Sequence, residues 1–467
     1  MDIETVKKII NDNLKGFPTK VQKIRKSELY YENKNDILRR RNPLAEKVKD
    51  KDPDNPLRNA DNRISHSFHQ LLVNQKAAYA MTVPPLFDVD DKQLNDEIVK
   101  LLGDVYPKVA KDLCINASNA GIAWVHIWRD EDHQNFFRYA VIDSKQIVPI
   151  YSKRLANQLE GVLRVYEDYD DQGEVLLVYE YWNGKECCAY ARPKNKTMDD
   201  LQEYEIFDLI DIGTNEPSGS SNTYDHGWSR LPFIPLRNNP LQQPDLEMYK
   251  ALIDVYDKVY SGFINDVDDI QEIIYVLTNY GGADKKEFLD DLKKYKMVQV
   301  EDDGQGSKGG VQTLAIDIPI EARSKILETT RESIFVHGQG VDPQKNIGQN
   351  NSGAALKYMY SLLELKASML ETEFRLGFAE LVRFILEYSN TNADVTIKQT
   401  WTRSAINNDL EQADIVSKLA PVTSEENLAK ANPIVENWET EVANLQKERE
   451  GEFRGEDDYR GDDEHED

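Results

Sequence analysis

Two histidines stand at a spacing that could bind a metal ion. His66 and His69 are three residues apart in a segment with helical periodicity, which could place two ligands on one helix face. No Cys, Glu or third His close by in the sequence completes a site. The pattern therefore favours surface or packing histidines, and we expect no metal site here.

An acidic turn lies between two β-rich runs. Asp168, Asp170 and Gly173 occupy the first, third and sixth positions of an EF-hand calcium loop. The twelfth position is Tyr179 instead of Glu, and the flanking runs are typical of strands and not of helices. We interpret the stretch as a hairpin turn.

A glycine motif occurs further along the chain. Gly304, Gly306 and Gly309 spell G-x-G-x-x-G, the pattern of a dinucleotide-binding turn. That turn must lead into a helix whose N-terminus holds the pyrophosphate, whereas the following residues, VQTLAID, predict a strand. The glycines therefore indicate a flexible hairpin loop, and we expect no cofactor.

The cysteines and the known catalytic motifs add no chemistry. Adjacent strand residues point to opposite faces, so Cys187 and Cys188 suit neither a disulfide framework nor a zinc site, and with Cys114 they indicate a reducing compartment. The sequence contains no G-x-S-x-G, H-E-x-x-H, C-x-x-C or P-loop motif. An enzyme built from residues distant in sequence remains the alternative, namely a nucleic-acid-processing enzyme with a dispersed acidic metal site.

The charge balance limits the kinds of partner. The chain has 467 residues, with 83 acidic and 57 basic side chains and a formal net charge of −26. Tight binding to nucleic-acid phosphates needs clustered basic residues. The partners are therefore proteins, or any nucleic acid is held loosely; an acidic surface that only maintains solubility is the alternative. No apolar run reaches the ~18 residues of a membrane span, so we expect a soluble, intracellular protein without membrane contact.

The elements that must position any site are mainly helical. Short β-rich runs in residues 121–190 predict an antiparallel sheet. The longest helical pattern begins near Pro319, stops at Gly338 and Gly340, and resumes after Ser352, an N-cap candidate, for about 35 residues or roughly 50 Å. The polar run between the two helices holds no nucleophile, base or metal cluster. We expect it to face something large and uniform, in an α+β protein.

Five segments, in this order, resemble the portal proteins of tailed bacteriophages, particularly of siphophages that infect Gram-positive bacteria. They are NRISHSFHQLLVNQKAAYAMTVPP, GIAWVHIW, WSRLPFIPLRNNP followed by DLEMYKALIDVYDKVYSGFINDVDDIQEIIYVLTNYGG, NNSGAALKYMYSLLELKA, and VTIKQTWTRSAINNDLEQADIV. The resemblance spans roughly residues 20–445 and concerns the order of the parts, since no single motif is as specific as a metal signature.

The resemblance implies the phage portal fold, a ring-forming subunit with wing, stem, clip and crown regions. The implied regions are an N-terminal helical segment (1–62), the wing with the antiparallel sheet (63–243), a stem helix (244–270), the clip (271–318), a second stem helix (319–340), the tunnel loop (341–353), a long wing helix (354–394), the crown (395–450) and an acidic disordered tail (451–467). The C-terminus holds few crown helices, which is a departure from the family pattern.

The resemblance also implies a function. Such proteins form a ring, usually of twelve subunits, at one capsid vertex of the virion, and they are assembled in the host cytoplasm. The ring is the head-to-tail connector and the channel for packaging and ejecting double-stranded DNA. The implied partners are the terminase large subunit, the head-completion adaptor, and the major capsid and scaffolding proteins, with a role in nucleating the procapsid. The protein itself would hydrolyse nothing, because the terminase supplies the motor.

Candidate site residues follow from this assignment. Acid-rich stem helices repeated around a ring would repel the phosphates and keep the duplex centred. The tunnel-loop candidates are Lys345, Asn346, Gln349, Asn350 and Asn351; the channel-lining stem candidates are Asp254, Asp257, Glu328 and Arg331; and the clip candidates for partner docking are Asp302, Asp303 and Lys308. The alternative for the loop is a plain linker between two helices.

Overall fold

The computed structural model of the protein describes residues 2–39, 60–130, 136–155, 158–210, 217–270, 274–278, 310–314, 319–344, 353–404, 416–431, 435, 441–442 and 444–447. Helices and antiparallel sheets occur together in these residues, and the chain is about 49% helical. The predicted α+β class is confirmed. Among the described helices, none is both long enough and apolar enough to cross a membrane.

The elements are numbered in chain order. The helices are α1 (Ile3–Asn13), α2 (Phe17–Tyr31), α3 (Asp36–Arg39), α4 (Phe68–Met81), α5 (Lys92–Leu102), α6 (Tyr106–Ala120), α7 (Lys250–Ile270), α8 (Ile320–His337), α9 (Gly353–Tyr388) and α10 (Glu425–Ala431). The strands are β1 (Leu86–Asp88), β2 (Ile122–Asp130), β3 (Phe136–Ile142), β4 (Ile147–Tyr151), β5 (Leu159–Tyr169), β6 (Val175–Trp182), β7 (Glu186–Pro193), β8 (Gln202–Glu203), β9 (Phe207–Ile210), β10 (Pro217–Ser221), β11 (Thr223–Asp225), β12 (Phe233–Arg237), β13 (Ile274–Thr278), β14 (Gly310–Leu314) and β15 (Lys398–Thr400).

The β-rich stretch forms two antiparallel sheets instead of the single sheet expected. In the first, β2 lies between β12 and β3; in the second, the order is β11-β7-β6-β5-β4, and β8 also pairs with β7. Trp124 and Phe233 of the first sheet pack with Trp182 of the second. Two facing sheets can bury these large apolar side chains, whereas one open sheet would leave a face in water.

The acidic turn is a hairpin turn, as predicted. It joins β5 to β6, which pair antiparallel. The Asp170 carboxylate accepts hydrogen bonds from the backbone N–H groups of Gln172 (2.9 Å) and Glu174 (2.8 Å). Gly173 has φ 81°, a conformation that glycine adopts without strain. The carboxylate therefore stabilises the turn itself.

The neighbouring cysteines lie on opposite faces of β7, as the strand pattern predicted. Cys188 packs in the cluster that buries Val6 and Ile10 of α1. Cys187 packs on the other face, with Trp182 between the two sheets. Both thiols are free and buried, and burial raises the pKa of Cys187 well above its usual value. They act as small apolar core residues.

The long helix α9 crosses the largest core of the described chain. Its 36 residues confirm the predicted long helix. Phe374 and Phe378 are buried in one cluster with residues of α4, α6 and the three-stranded sheet. Gly377 touches β12, since a Cβ there would lie 2.8 Å from Leu236 Cγ. The helix and the first sheet therefore form one packed unit.

A second packed unit joins α2, α4, α7 and α8. The buried residues of this cluster are Tyr30, Phe68, Leu72, Leu246, Tyr249, Ile253, Ile334 and Phe335. Leu246 and Tyr249 lie just before α7, and Ile253 lies within its first turn. The cluster ties α7 and α8 to the N-terminal helices.

A strand pair closes the segment between α7 and α8. Ile274 is opposite Leu314 and Thr278 is opposite Gly310 in an antiparallel register. A strand therefore does follow Gly309, which agrees with the rejection of a dinucleotide-binding turn. Gly304, Gly306 and Gly309 themselves lie outside the described residues.

Candidate functional site

The polar loop predicted between two helices has a well-defined beginning. α8 ends at His337 and is capped by Gly338, as predicted, and α9 begins at Gly353. We call residues 338–342 the loop root. The loop candidates Lys345, Asn346, Gln349, Asn350 and Asn351 lie beyond it, outside the described residues.

The two glycines of the loop root are required by close packing. Gly338 has φ −76°, and the residue in the left-handed region is Gln339, with φ 52°. A Cβ on Gly338 would lie 2.5 Å from Leu72 Cδ1, and one on Gly340 would lie 2.2 Å from Leu72 Cδ2. The glycines therefore allow the root to lie against α4, and they do not supply the left-handed helix cap that glycine often provides.

Side chains from three helices bind the loop root. Gln75 of α4 donates from Nε2 to the carbonyl oxygen of Val341 (2.7 Å) and accepts from the Val341 N–H at Oε1 (3.0 Å). Arg331 of α8 makes a bidentate ion pair with Asp342, with Nη2 2.7 Å from Oδ1 and Nε 3.1 Å from Oδ2. Lys366 of α9 donates to the carbonyl oxygen of Gly338 (3.0 Å). The point from which the loop departs is thus fixed by both side chains and packing.

Lys366 belongs to a buried ionic network. The Nζ atoms of Lys366 and Lys76 each lie 2.9 Å from Asp245 Oδ2. Asn238 accepts from Lys76 (2.6 Å) and donates to Asp245 Oδ1 (2.8 Å). All four side chains are buried. One carboxylate therefore faces two ammonium groups in a region of low dielectric, where charge imbalance is costly.

The pKa directions agree with this arrangement. Burial alone would raise the pKa of Asp245, but the ammonium groups of Lys366 and Lys76 and the Asn238 amide hold that pKa well below its usual value. Burial lowers the pKa of Lys366, and Asp245 opposes the change. A lowered pKa is expected for a buried carboxylate that faces two ammonium groups, and a lowered pKa is also expected for a buried ammonium group that shares one carboxylate with another.

The two histidines are packing residues, as predicted. His69 is 1% exposed, with Nδ1 2.7 Å from the Tyr249 hydroxyl and Nε2 2.8 Å from Asn119 Oδ1. Burial lowers its pKa to about 4, so it is neutral at physiological pH. His66 Nδ1 lies 2.8 Å from Asp257 Oδ1. Within the described residues, no group of three or more His, Cys, Asp and Glu side chains could hold a metal ion.

The two acids proposed for α7 point toward the N-terminal part of the chain. Asp254 pairs with Lys250 (2.7 Å) and accepts from the Tyr30 hydroxyl. Asp257 is 0% exposed and accepts from Asn35 Nδ2 (2.6 Å) and from the His66 N–H (3.1 Å). Asp257 therefore binds the segment that wraps α7, and we leave it out of the proposed channel-facing set. Helical periodicity shows which residues share a face, but not which neighbour covers that face.

The two candidates on α8 differ in exposure. The Glu328 side chain is 69% exposed and lies 2.8 Å from Lys325. The Arg331 side chain is 19% exposed and is engaged with Asp342. Asp266 of α7 pairs with Arg323 of α8 and joins the two helices. Much of the acidity of α7 and α8 is therefore paired within the chain. The clip candidates Asp302, Asp303 and Lys308 lie outside the described residues.

Apart from Arg331, which was a channel-lining candidate, sequence reasoning did not single out the residues that hold the loop root. These are Gln75, Lys76, Asn238, Asp245, Asp342 and Lys366. One usable signal was present, because Lys76 and Lys366 each stand at a position of an otherwise apolar helix face, where a buried partner is required. The identity of that partner, Asp245, depends on residues far apart in the sequence.

Comparison with known proteins shows the family to which this chain belongs. The chain matches the family model described as "Phage portal protein, SPP1 Gp6-like" over residues 11–454. A portal protein of Clostridium phage phiCD119 is 39% identical over 451 residues, covering 94% of each chain. The portal protein of Bacillus phage SPP1 is 31% identical over 430 residues, covering 90% of this chain and 82% of that one.

Two solved structures are also similar. The neck of a native GTA particle computed with C12 symmetry has a TM-score of 0.42 at 11% identity, covering 78% of this chain and 89% of that chain. The neck of an empty GTA particle computed with C6 symmetry has the same TM-score and identity, covering 78% and 88%.

The anchored helix–loop–helix and the two-sheet domain thus belong to a phage portal protein, a structural component of the virion. Within that class, the chain belongs to the SPP1 Gp6-like family. The resemblance to the portals of siphophages of Gram-positive hosts, and with it the head-to-tail connector class, is confirmed.

Proposed function

We propose that the chain assembles into a ring of twelve subunits at one capsid vertex, after synthesis in the host cytoplasm, and that the ring forms the channel for double-stranded DNA in packaging and ejection. The observation that carries this proposal is the loop root. Gln75, Arg331, Lys366 and Leu72 hold residues 338–342 at one place between α8 and α9. A polar segment that departs from a fixed point can be held at a constant distance from a channel axis.

The region assignment follows the elements. α7 and α8 are the stem helices, the segment between them with β13 and β14 is the clip, residues 341–353 are the tunnel loop, and the two sheets with α9 are the wing. Residues 395–450 are the crown and residues 451–467 an acidic tail. In a ring, head-to-tail contacts close around the axis.

The proposed chemistry of the channel is weak contact. A duplex presents phosphates at every step, and clustered cations would hold it back. The loop offers amides at Asn346, Gln349, Asn350 and Asn351 with one cation, Lys345. Glu328 on the exposed side of α8 adds repulsion, and Asp254 adds less because it is paired with Lys250; the positive charge of Arg331 is paired with Asp342 and attracts the phosphates little. These contacts let the duplex slide.

The loop assignment is tested by enlarging its side chains. Asn350→Trp with Asn351→Trp should reduce DNA packaging or retention in particles while rings still form, because larger side chains in the tunnel loop narrow the channel and leave the loop root unchanged. Asn195→Trp, at an exposed turn after β7, is the matched control and should package normally. Packaging by the loop variant at the wild-type level, or failure of that variant to form rings, would contradict the assignment.

The partners proposed for the clip are the terminase large subunit and then the head-completion adaptor. The outer regions of the ring are proposed to bind the major capsid and scaffolding proteins, and the ring would nucleate the procapsid. Terminase brings the ATPase, and this chain hydrolyses nothing.

Deleting residues 303–310, with Asp303 and Lys308, should weaken binding to purified terminase and adaptor, whereas rings should still form. Asp302→Asn should weaken that binding less. Binding of terminase and adaptor at the wild-type level would contradict the clip assignment. No described feature favours the alternative of a nucleic-acid-processing enzyme.

A further inference from the structure

The exposed strip of α9 between residues 358 and 376 contains no charged residue; further along the same side of the helix, Arg383 and Glu380 form an ion pair. Over residues 358–388, for which side-chain exposure is described, the exposed positions are Tyr358, Ser361, Leu362, Leu365, Ser368, Met369, Thr372 and Leu376. At 100° per residue these eight positions fall within a strip about 120° wide along one side of the helix. We call this strip the α9 stripe. In a chain of which 30% is charged, a solvated helix face of this length should carry charges.

A second helix of the same chain shows the ordinary pattern. On α5 the exposed positions are Lys92, Gln93, Asp96, Val99 and Lys100. That face mixes both signs of charge with one apolar residue, as solvated helices do. The difference between α5 and α9 therefore does not come from the composition of the chain as a whole.

The hydroxyl groups of the α9 stripe reduce its polarity further. Ser361 donates to the backbone carbonyl of Tyr358 (2.7 Å), and Thr372 donates to that of Ser368 (3.0 Å). Side-chain hydroxyls that bond back to their own helix offer little to water. Tyr358 is 82% exposed, Leu365 53% and Leu376 69%. The stripe is thus an apolar surface that no described part of the subunit covers.

The α9 stripe continues into a cavity at the loop root. The apolar residues that line an open cavity of about 320 Å³ include Phe335, Val336, Val341, Met359 and Leu362, and Glu332 and Asp342 also line it. Leu362 belongs both to the cavity and to the stripe. The apolar surface therefore begins beside the point from which the polar loop departs, and it runs away from that point along α9.

We propose that the α9 stripe is covered by a neighbouring copy of this chain, as the apolar centre of the contact between adjacent subunits. This inference rests on the proposed ring. A surface that begins at the loop root lies near the channel axis in that ring, where each subunit is flanked by copies of itself. Depletion of charge and a high apolar content are typical of the centre of obligate homo-oligomeric interfaces.

The size of the stripe fits part of such a contact. The 18 residue steps from Tyr358 to Leu376 extend ~27 Å along the helix, and a strip ~10 Å wide covers ~270 Å², a third of the ~800 Å² that a standard interface buries per partner. The contact is heterologous, so a different face of the neighbour lies opposite the stripe. The remaining area would come from surfaces around the stripe.

Cysteine protection tests the proposal directly. The native thiols Cys114, Cys187 and Cys188 are all buried, so an introduced surface cysteine dominates the reaction with a maleimide. In purified rings, Leu365→Cys should react at least about tenfold more slowly than the control Asn195→Cys, the factor given by ~1.4 kcal/mol of protection. Equal rates in rings would overturn the proposal. Protection that arises only after capsid or scaffolding protein is added would also overturn it, since the occupant would not be a second copy.

Charge introduced into the stripe separates this proposal from the ring itself. Leu365→Asp with Met369→Asp should yield folded monomers, by mass photometry and circular dichroism, under conditions in which the wild type forms rings. Rings of normal mass from this variant would refute the stripe contact and leave the proposed ring intact. A wild-type protein that stays monomeric would refute the ring, and the stripe contact with it. If the charged variant is insoluble, the cysteine rates decide.

Discussion

Asp245 is the carboxylate that pairs with both Lys76 and Lys366 in the buried network behind the loop root. Asp245→Asn keeps the shape of the side chain and removes its charge, which leaves two buried ammonium groups facing an amide. Removing one partner of a buried ion pair costs ~3–5 kcal/mol. For a cooperative unit of ordinary domain size this lowers the melting temperature by roughly 6–20 °C.

The neighbouring substitution should be milder. Lys366→Met removes the surplus positive charge and leaves Lys76 and Asp245 as a balanced pair with Asn238. The main loss is the hydrogen bond to the Gly338 carbonyl, which costs ~1–3 kcal/mol if that oxygen is left without a donor. We therefore expect Asp245→Asn to be the more damaging change, and the double variant to be more stable than Asp245→Asn alone.

The assay is thermal and urea unfolding followed by tryptophan fluorescence, at one subunit concentration and neutral pH. Asp268→Asn serves as the control because Asp268 is an exposed acid of α7, and the change should stay within ~0.5 kcal/mol. Two results would refute the reasoning. The first is an Asp245→Asn protein that is as stable as the wild type. The second is an Asp245→Asn, Lys366→Met double variant that is no more stable than the Asp245→Asn variant.

Two further predictions concern the same region. The pKa of His69 is about 4 in the folded chain and ~6.5 in the unfolded chain, so between these pH values the unfolded state binds the proton more readily. The free energy of unfolding should therefore fall by ~2 kcal/mol from about pH 7 to 5. His69→Gln should flatten that pH dependence, and an unchanged slope in acid unfolding would contradict the prediction. Gly340→Ala should cost ~1–3 kcal/mol through the clash with Leu72, and adding Leu72→Ala should recover part of it in a double-mutant cycle. Gly262→Ala, in open space on α7, is the matched control and should be neutral or slightly stabilising.

Local features of the fold were predictable from the sequence because short-range rules govern them. The end of α8 at the Gly338–Gly340 region, the long helix α9, the Asp170 hairpin turn and the opposite faces of Cys187 and Cys188 all follow from helix and strand periodicity and from turn chemistry. The order of segments along the chain was enough to suggest the portal family.

The partition of the strands was not predictable in the same way. The strands of both sheets are short β-rich runs of similar composition, and the sequence cannot say that β12 joins β2, more than a hundred residues away (Phe233 opposite His126), instead of extending the longer sheet. That choice is made by the aromatic side chains that the two sheets bury against each other, with Trp124 and Trp182 among them.

The sequence by itself determined that this is an acidic α+β chain with a polar gap between two helices, because composition and periodicity are local properties. Only the tertiary structure decided which polar residues are structural. Asp257 was a channel-lining candidate because the portal resemblance placed it in a stem helix, yet it is buried against Asn35 and His66. The loop root depends on contacts between α4, α8 and α9, whose residues meet only after folding brings distant segments together.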